Sequence, residues 1–144
     1  MAEIDWLELW RDLATTMRER SGEWASRYES HARRKIPEKP DPLLDFVLRN
    51  LSPQSTLLDI GAGGGRWALP IARIARSVTA VEPSATMREI LEQNIAAAKL
   101  DNIRIVPALW QEAGVEAHDV VISAHAMNSS PDFAGFVRKM ERHA

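Results

Sequence analysis

The sequence contains no cysteine, which excludes disulfides, thiolate metal sites and cysteine nucleophiles within it. Its apolar runs fall far short of the ~20 residues needed to cross a bilayer, so no membrane association is expected. The opening Met1-Ala2-Glu3-Ile4-Asp5 lacks the positive stretch that begins a signal peptide. An excess of either charge is missing as well: 18 Lys and Arg stand against 20 Asp and Glu, a net charge of −2. Nucleic-acid-binding domains are ordinarily basic, so this balance argues against nucleic acid as a partner. His31, His118, His125 and His143 are scattered without metal-ligand spacing, and no metal site is expected. No internal repeat or low-complexity segment occurs. Together these absences predict a soluble cytoplasmic protein.

What is present is an ordinary globular composition, 45% hydrophobic and 26% charged over 144 residues, enough for one domain with a real core. The chain is organised around Thr56-Leu57-Leu58-Asp59-Ile60, an apolar run that reads as a buried strand. It breaks at Gly61, Gly63, Gly64 and Gly65, and helical character follows from Trp67 to Arg76. Strand, glycine turn and helix bring backbone N–H groups and a helix N-terminus close to a nucleotide-like ligand.

Two readings of the glycines compete. The dinucleotide fingerprint Gly-x-Gly-x-x-Gly/Ala, counted from Gly61, ends on Arg66, which spoils close helix–strand packing. An oxidoreductase is therefore disfavoured. Counted from Asp59, the pattern is Asp-x-Gly-x-Gly-x-Gly, filled by Asp59, Gly61, Gly63 and Gly65. A second strand, Val78 to Val81, ends at Glu82, about 20 residues on, where a carboxylate can hold two ribose hydroxyls.

Asp59, the glycines and Glu82 together resemble the first motif and second acid of class I S-adenosylmethionine-dependent methyltransferases, over roughly residues 40 to 143. The resemblance implies an α/β, Rossmann-like three-layer sandwich with parallel sheet order 3-2-1-4. It also implies S-adenosylmethionine as cofactor, contacted by Asp59, Gly61, Ala62, Gly63, Gly65 and Glu82, with Pro83 and Met87 along the adenosine. Many relatives carry an acid shortly after the third strand. Here Ala108 stands in its place, and Trp110 is expected to cover the adenine instead, with backbone or Gln111 replacing the acid. The fourth strand, Val120 to Ile122, runs into Ser123 and His125 at the carboxyl end of the sheet, where open α/β sheets bind ligands. Ser123 is a further cofactor contact. His125 is the candidate general base, since histidine titrates near neutral pH.

Elsewhere, Ile4, Leu7, Trp10, Ala14 and Met17 share one face of a helix over residues 1–20, widened by Trp6, Leu9 and Leu13. A second helix is expected from Glu23 to Arg33, with Trp24, Tyr28 and His31 on one face. Residues 1–36 thus form an N-terminal helical hairpin, a lid or an ordinary packing layer. Residues 37–144 form the cofactor domain. Lys35 to Pro42 is a proline-rich linker, and Asp41-Pro42 caps a helix that turns Leu44, Val47, Leu48 and Leu51 inward. Pro70 disturbs the helix after the glycines, whose regular part should begin near Leu69 with Ile71, Ile74 and Ala75 on the sheet. Ser84 starts a helix through Ala98 with Met87, Ile90, Leu91 and Ile95 inward. A last helix spans Phe133 to Arg142.

The resembled fold has more strands than the four found here, so the expectation is a fragment, incomplete at its C-terminus. A sheet ending on Val120-Val121-Ile122 would expose an apolar edge that invites pairing, which predicts a homodimer through the fourth strand. The expected function is methyl transfer to a small-molecule acceptor by in-line displacement. The alternative is a non-catalytic methyltransferase-like domain that binds cofactor or a partner.

Overall fold

In a computed structural model the described residues are 5–19 and 41–144. The helix expected over 23–33, with Trp24, Tyr28 and His31, and most of the proline linker lie outside them. The described elements run α1 (Trp6–Glu19), α2 (Pro42–Arg49), β1 (Thr56–Ile60), α3 (Ala68–Ala72), β2 (Ser77–Val81), α4 (Ala85–Ala98), β3 (Ile103–Val106), β4 (Val120–Ile122), a single 3₁₀ turn (Met127–Ser129) and α5 (Phe133–Glu141). The strands form one parallel sheet in the order β3-β2-β1-β4, the order that the resemblance implies.

β1 is central and buried on both faces, which is why it reads as a continuous apolar run rather than an alternating one. Successive residues point to opposite sides. Leu57 joins Val78, Ala68 and Ile71 on the face covered by α2 and α3. Leu58 and Ile60 join Val81, Trp110 and Phe136 on the face covered by α5. A third cluster of Leu69, Ala80 and Leu91 seats α4 beside α3. At the far end of the sheet the Asp119 carboxylate accepts the N–H and hydroxyl of Thr56, at 2.7 and 2.8 Å. These bonds hold its pKa below the usual carboxylate range and lock the start of β1 beside the start of β4.

The helix starts follow local chemistry. Asp41 accepts the Leu44 N–H at 3.2 Å with Pro42 as the first helical residue, and Ser84 accepts the Met87 N–H at 3.4 Å. Leu44, Val47, Leu48 and Leu51 face the core. α3 is only five residues long, and this shortness corrects one expectation. Ile74 falls beyond the helix and is 37% exposed. α1 also uses less of its apolar stripe than its spacing suggests. Ala14 is 1% exposed, while Leu7, Leu9 and Leu13 stay largely in solvent. Trp10 fastens the helix by donating its indole N–H to the Ser130 carbonyl at 2.9 Å.

The stretch between β3 and β4 is held by one cation. Lys139 Nζ donates to the carbonyls of Trp110, Gln111 and Ala113 at 2.7, 3.2 and 2.7 Å and lies 4.6 Å from the Trp110 ring centroid. A Lys139→Ala variant leaves those carbonyls without their donor. It should lose about 2–3 kcal/mol in urea unfolding, the scale of bonds to a charged group.

Candidate functional site

The carboxyl ends of β1, β2 and β4 meet around the glycine turn. Gly61 has φ +78 and Gly63 φ +54, a region in which L side chains are strained. The Gly61 and Ala62 N–H groups both donate to the Val81 carbonyl, at 2.8 and 3.2 Å, so the turn is folded over the end of β2. A side chain at Gly61 would collide with Ala126, and Gly61→Ala should therefore cost about 1–3 kcal/mol of stability in thermal unfolding. At Gly63 the reason is different. No atom of the described residues beyond its chain neighbours lies within 4 Å of the place a Cβ would occupy, so the described packing does not demand glycine there. The turn leaves an open cradle.

Glu82 stands at the tip of β2, 6% exposed. Its Oε2 accepts the Gly63 N–H at 2.8 Å and its Oε1 accepts the Ser84 N–H at 2.9 Å. With one bond per oxygen among the described residues, each keeps further lone pairs, so the carboxylate is oriented yet able to take two more donors. Arg88 holds the same corner by donating to the carbonyls of Glu82 and Pro83, at 3.1 and 2.6 Å. From α4, the Asn94 amide donates to the Gly64 carbonyl at 2.8 Å. Neither Arg88 nor Asn94 is signalled by the sequence pattern. Both act only because α4 folds back against the turn.

Asp59 is 2% exposed, and its buried Oδ2 has no hydrogen-bond partner among the described residues. Burial, and secondarily the charge on Glu82, push its carboxyl up to about 7. Ser123 Oγ is a second buried oxygen without a partner among the described residues. It follows Ile122, which pairs with Asp59 across the sheet. Two unsatisfied buried oxygens on adjacent strand ends are costly unless a ligand supplies their partners.

The remaining predicted residues divide. Pro83 is exposed and Met87, 8% exposed, sits in the first turn of α4. Both border the Glu82 corner. His125 is exposed just past β4 with φ +64. Trp110 does not reach the cleft. It is 3% exposed, its indole N–H donates to the Phe136 carbonyl at 3.1 Å, and Phe136, His143 and Lys139 cover its ring. The expected adenine cover is thus a core residue, because α5 returns across the β3–β4 stretch and claims it. Gln111, the suggested substitute for the missing acid, donates instead to Ser130 Oγ at 2.8 Å. Trp67 packs on the cluster beneath α2. Among the described residues no group of acids and histidines that could hold a metal stands together. No described helix is long and apolar enough to cross a membrane.

The family profile described as methyltransferase domain matches residues 57–144. The ubiquinone biosynthesis O-methyltransferase of Methylobacterium sp. is 32% identical over 114 residues, covering 68% of this chain and 38% of the relative. A Methanosphaera stadtmanae protein assigned as ribosomal RNA small subunit methyltransferase A is 41% identical over 68 residues, covering 46% and 25%. Among solved structures, a Methanococcus maripaludis protein assigned as an S-adenosyl-L-methionine-dependent methyltransferase superposes with a TM-score of 0.63 at 25% identity, covering 92% of this chain and 57% of that one. The chain spans 25% and 38% of the lengths of the two curated relatives.

The ribosomal RNA relative corrects the expectation that nucleic acid is excluded. Net charge averages the whole surface, whereas phosphate contacts need only a local face. A net charge of −2 does not decide the matter.

Proposed function

The chain belongs to the methyltransferase-domain family, and from that premise we propose that it binds S-adenosylmethionine over the glycine turn and transfers the methyl group to a small-molecule acceptor. One observation carries the reading. The Glu82 carboxylate is fixed by two backbone N–H groups at the rim of a turn that keeps an open cradle at Gly63. The donor set suits this ligand. Glu82 presents free lone pairs to a pair of ribose hydroxyls, and Asp59 Oδ2, buried and unpartnered among the described residues, awaits a cationic donor such as the ligand's ammonium. Pro83 and Met87 border the adenosine side, and Ser123 the opposite side. Trp110 has no part in it.

When bound, the cofactor supplies an activated methyl group on a sulfonium. The protein's contribution is then placement, because fixing donor and acceptor in line can supply ~7–11 kcal/mol of the barrier. Glu82 and the turn hold one end, and Asp59 orients the other. Residues 37–144 constitute the cofactor-binding domain in this reading, and the N-terminal helical segment serves as a wall over the acceptor side. Its described helix α1 supports that role, since Trp10 reaches Ser130 and Phe133 beyond β4.

The test is calorimetric titration of the chain with S-adenosylmethionine and S-adenosylhomocysteine. Saturable binding of both is expected. A folded chain that takes up neither would overturn the reading in favour of a methyltransferase-like domain kept as a partner subunit.

A further inference from the structure

An open cavity of about 290 Å³ lies beyond the carboxyl end of β4, lined by Trp10, Ser123, His125, Met127, Asn128 and Phe133. It adjoins the glycine turn, because Ala126, next to His125, occupies the space that a side chain at Gly61 would need. Two of its walls are aromatic and mutually fixed. The Trp10 and Phe133 rings meet edge to face, with centroids 5.9 Å apart and planes at 76°. Trp10 is further held by its indole bond to the Ser130 carbonyl, at 2.9 Å. Among the described residues of its lining, His125 is the one titratable group and none is Asp, Glu, Lys or Arg.

We propose that this cavity is the acceptor site, and that it takes an uncharged, planar, single-ring aromatic hydroxyl whose proton is received by His125. The inference rests on the reading of the chain as a methyl-transfer domain and names the acceptor class within it. Size limits the acceptor first: a cavity of ~150 Å³ is enough for a benzene molecule, so the volume here suits one ring with a few substituents. Charge limits it next. An anionic or cationic acceptor would give up hydration and find no countercharge among the described wall residues, whereas a neutral ring packs on Trp10 and Phe133 in the geometry that aromatic pairs prefer.

The hydroxyl follows from His125. Its left-handed backbone, φ +64, is rare for a residue with a side chain, and such outliers concentrate at functional sites. In the proton step the acceptor's O–H bond breaks, the proton passes to the unprotonated ring nitrogen of His125, and the electron pair stays on oxygen. The oxygen is thereby readied as a nucleophile.

The probe is 4-nitrocatechol, whose phenolate absorbs at longer wavelength than the phenol. It is titrated into the full chain, with and without S-adenosylhomocysteine, at a pH where the free probe is mostly protonated. Saturable binding with growth of the phenolate band is expected. Phe133→Ala should weaken binding at least tenfold, as should Trp10→Ala. Phe133 is 44% exposed, so its truncation keeps the test valid even if loss of Trp10 disturbs α1. His125→Ala should still bind the probe and lose the band. A band that persists in His125→Ala overturns the proton assignment, and affinity unmoved by Phe133→Ala overturns the site. If S-adenosylhomocysteine binds and the probe does not, the acceptor class is wrong while the cofactor reading stands. If neither binds, both fall.

Discussion

The Glu82→Ala variant is expected to bind S-adenosylhomocysteine roughly ten- to a hundredfold more weakly than the parent chain, the loss that follows from removing hydrogen bonds to a charged group at ~1.5–3 kcal/mol. Few single side chains in the cleft can matter more. Glu82 is almost fully buried, so its bonds to a ligand form away from competing water, and both its oxygens are aimed by backbone N–H groups at 2.8 and 2.9 Å. A carboxylate placed in advance loses little freedom when a pair of hydroxyls arrives. Glu82→Gln separates charge from shape. A glutamine can accept from only one of Gly63 and Ser84 and turns an amide toward the other, so it should lose affinity nearly as alanine does. Calorimetric titration of all three proteins, with thermal unfolding as a check that the turn survives, measures this. A loss smaller than threefold in both variants would mean that Glu82 orients only the Gly63 turn.

Asp59→Asn should raise stability at pH 8 and lower affinity for the cofactor. The Asp59 carboxyl is pushed up to about 7 from an ordinary 3.8, first by burial and then by Glu82. The sign follows from proton linkage. Between those two values the folded chain keeps a proton that the unfolded chain has released. The stabilisation this provides is fully present below about pH 3.8, declines as pH rises, and is lost once pH passes through about 7. That rise of the Asp59 carboxyl corresponds to at most ~4 kcal/mol. Asparagine carries no charge to bury, so the variant should gain most over the parent above pH 7 and little near pH 4, as urea unfolding at the two pH values would reveal.

Ligand binding gives the complementary signature. A cationic ammonium beside Asp59 favours the ionised form, so below pH 7 the parent chain should release a fraction of a proton on binding. That release is read from calorimetric heats in buffers of different ionisation enthalpy, and Asp59→Asn should abolish it. Equal proton release in both proteins would remove Asp59 from the ligand site.

Much of this frame is legible along the chain because its determinants are local. Asp41 and Pro42 start α2, Ser84 starts α4, and Leu57, Leu58 and Ile60, apolar on both sides of β1, mark a strand covered on both faces. The spacing of Asp59, the glycines and Glu82 brings both acids to neighbouring strand ends, since Asp59 pairs with Ala80 two residues before Glu82. Position along a parallel strand translates directly into height above the sheet.

Other features depend on which distant segments meet. Trp110 has the look of an adenine cover until α5 packs across it, and Lys139 is an ordinary surface cation in the sequence until three carbonyls gather around it. The wall that Trp10 makes with Phe133 joins residues at opposite ends of the chain. By itself, then, the sequence determined the strands, the helix caps and the two acids at the glycine turn, because sterics, hydrogen bonding and alternation act over a few residues. The tertiary structure decided which aromatic belongs to the core and which lines a cavity. It also left Asp59 Oδ2 without a described partner. Burial and pairing are properties of juxtaposed segments, and no local spacing encodes them.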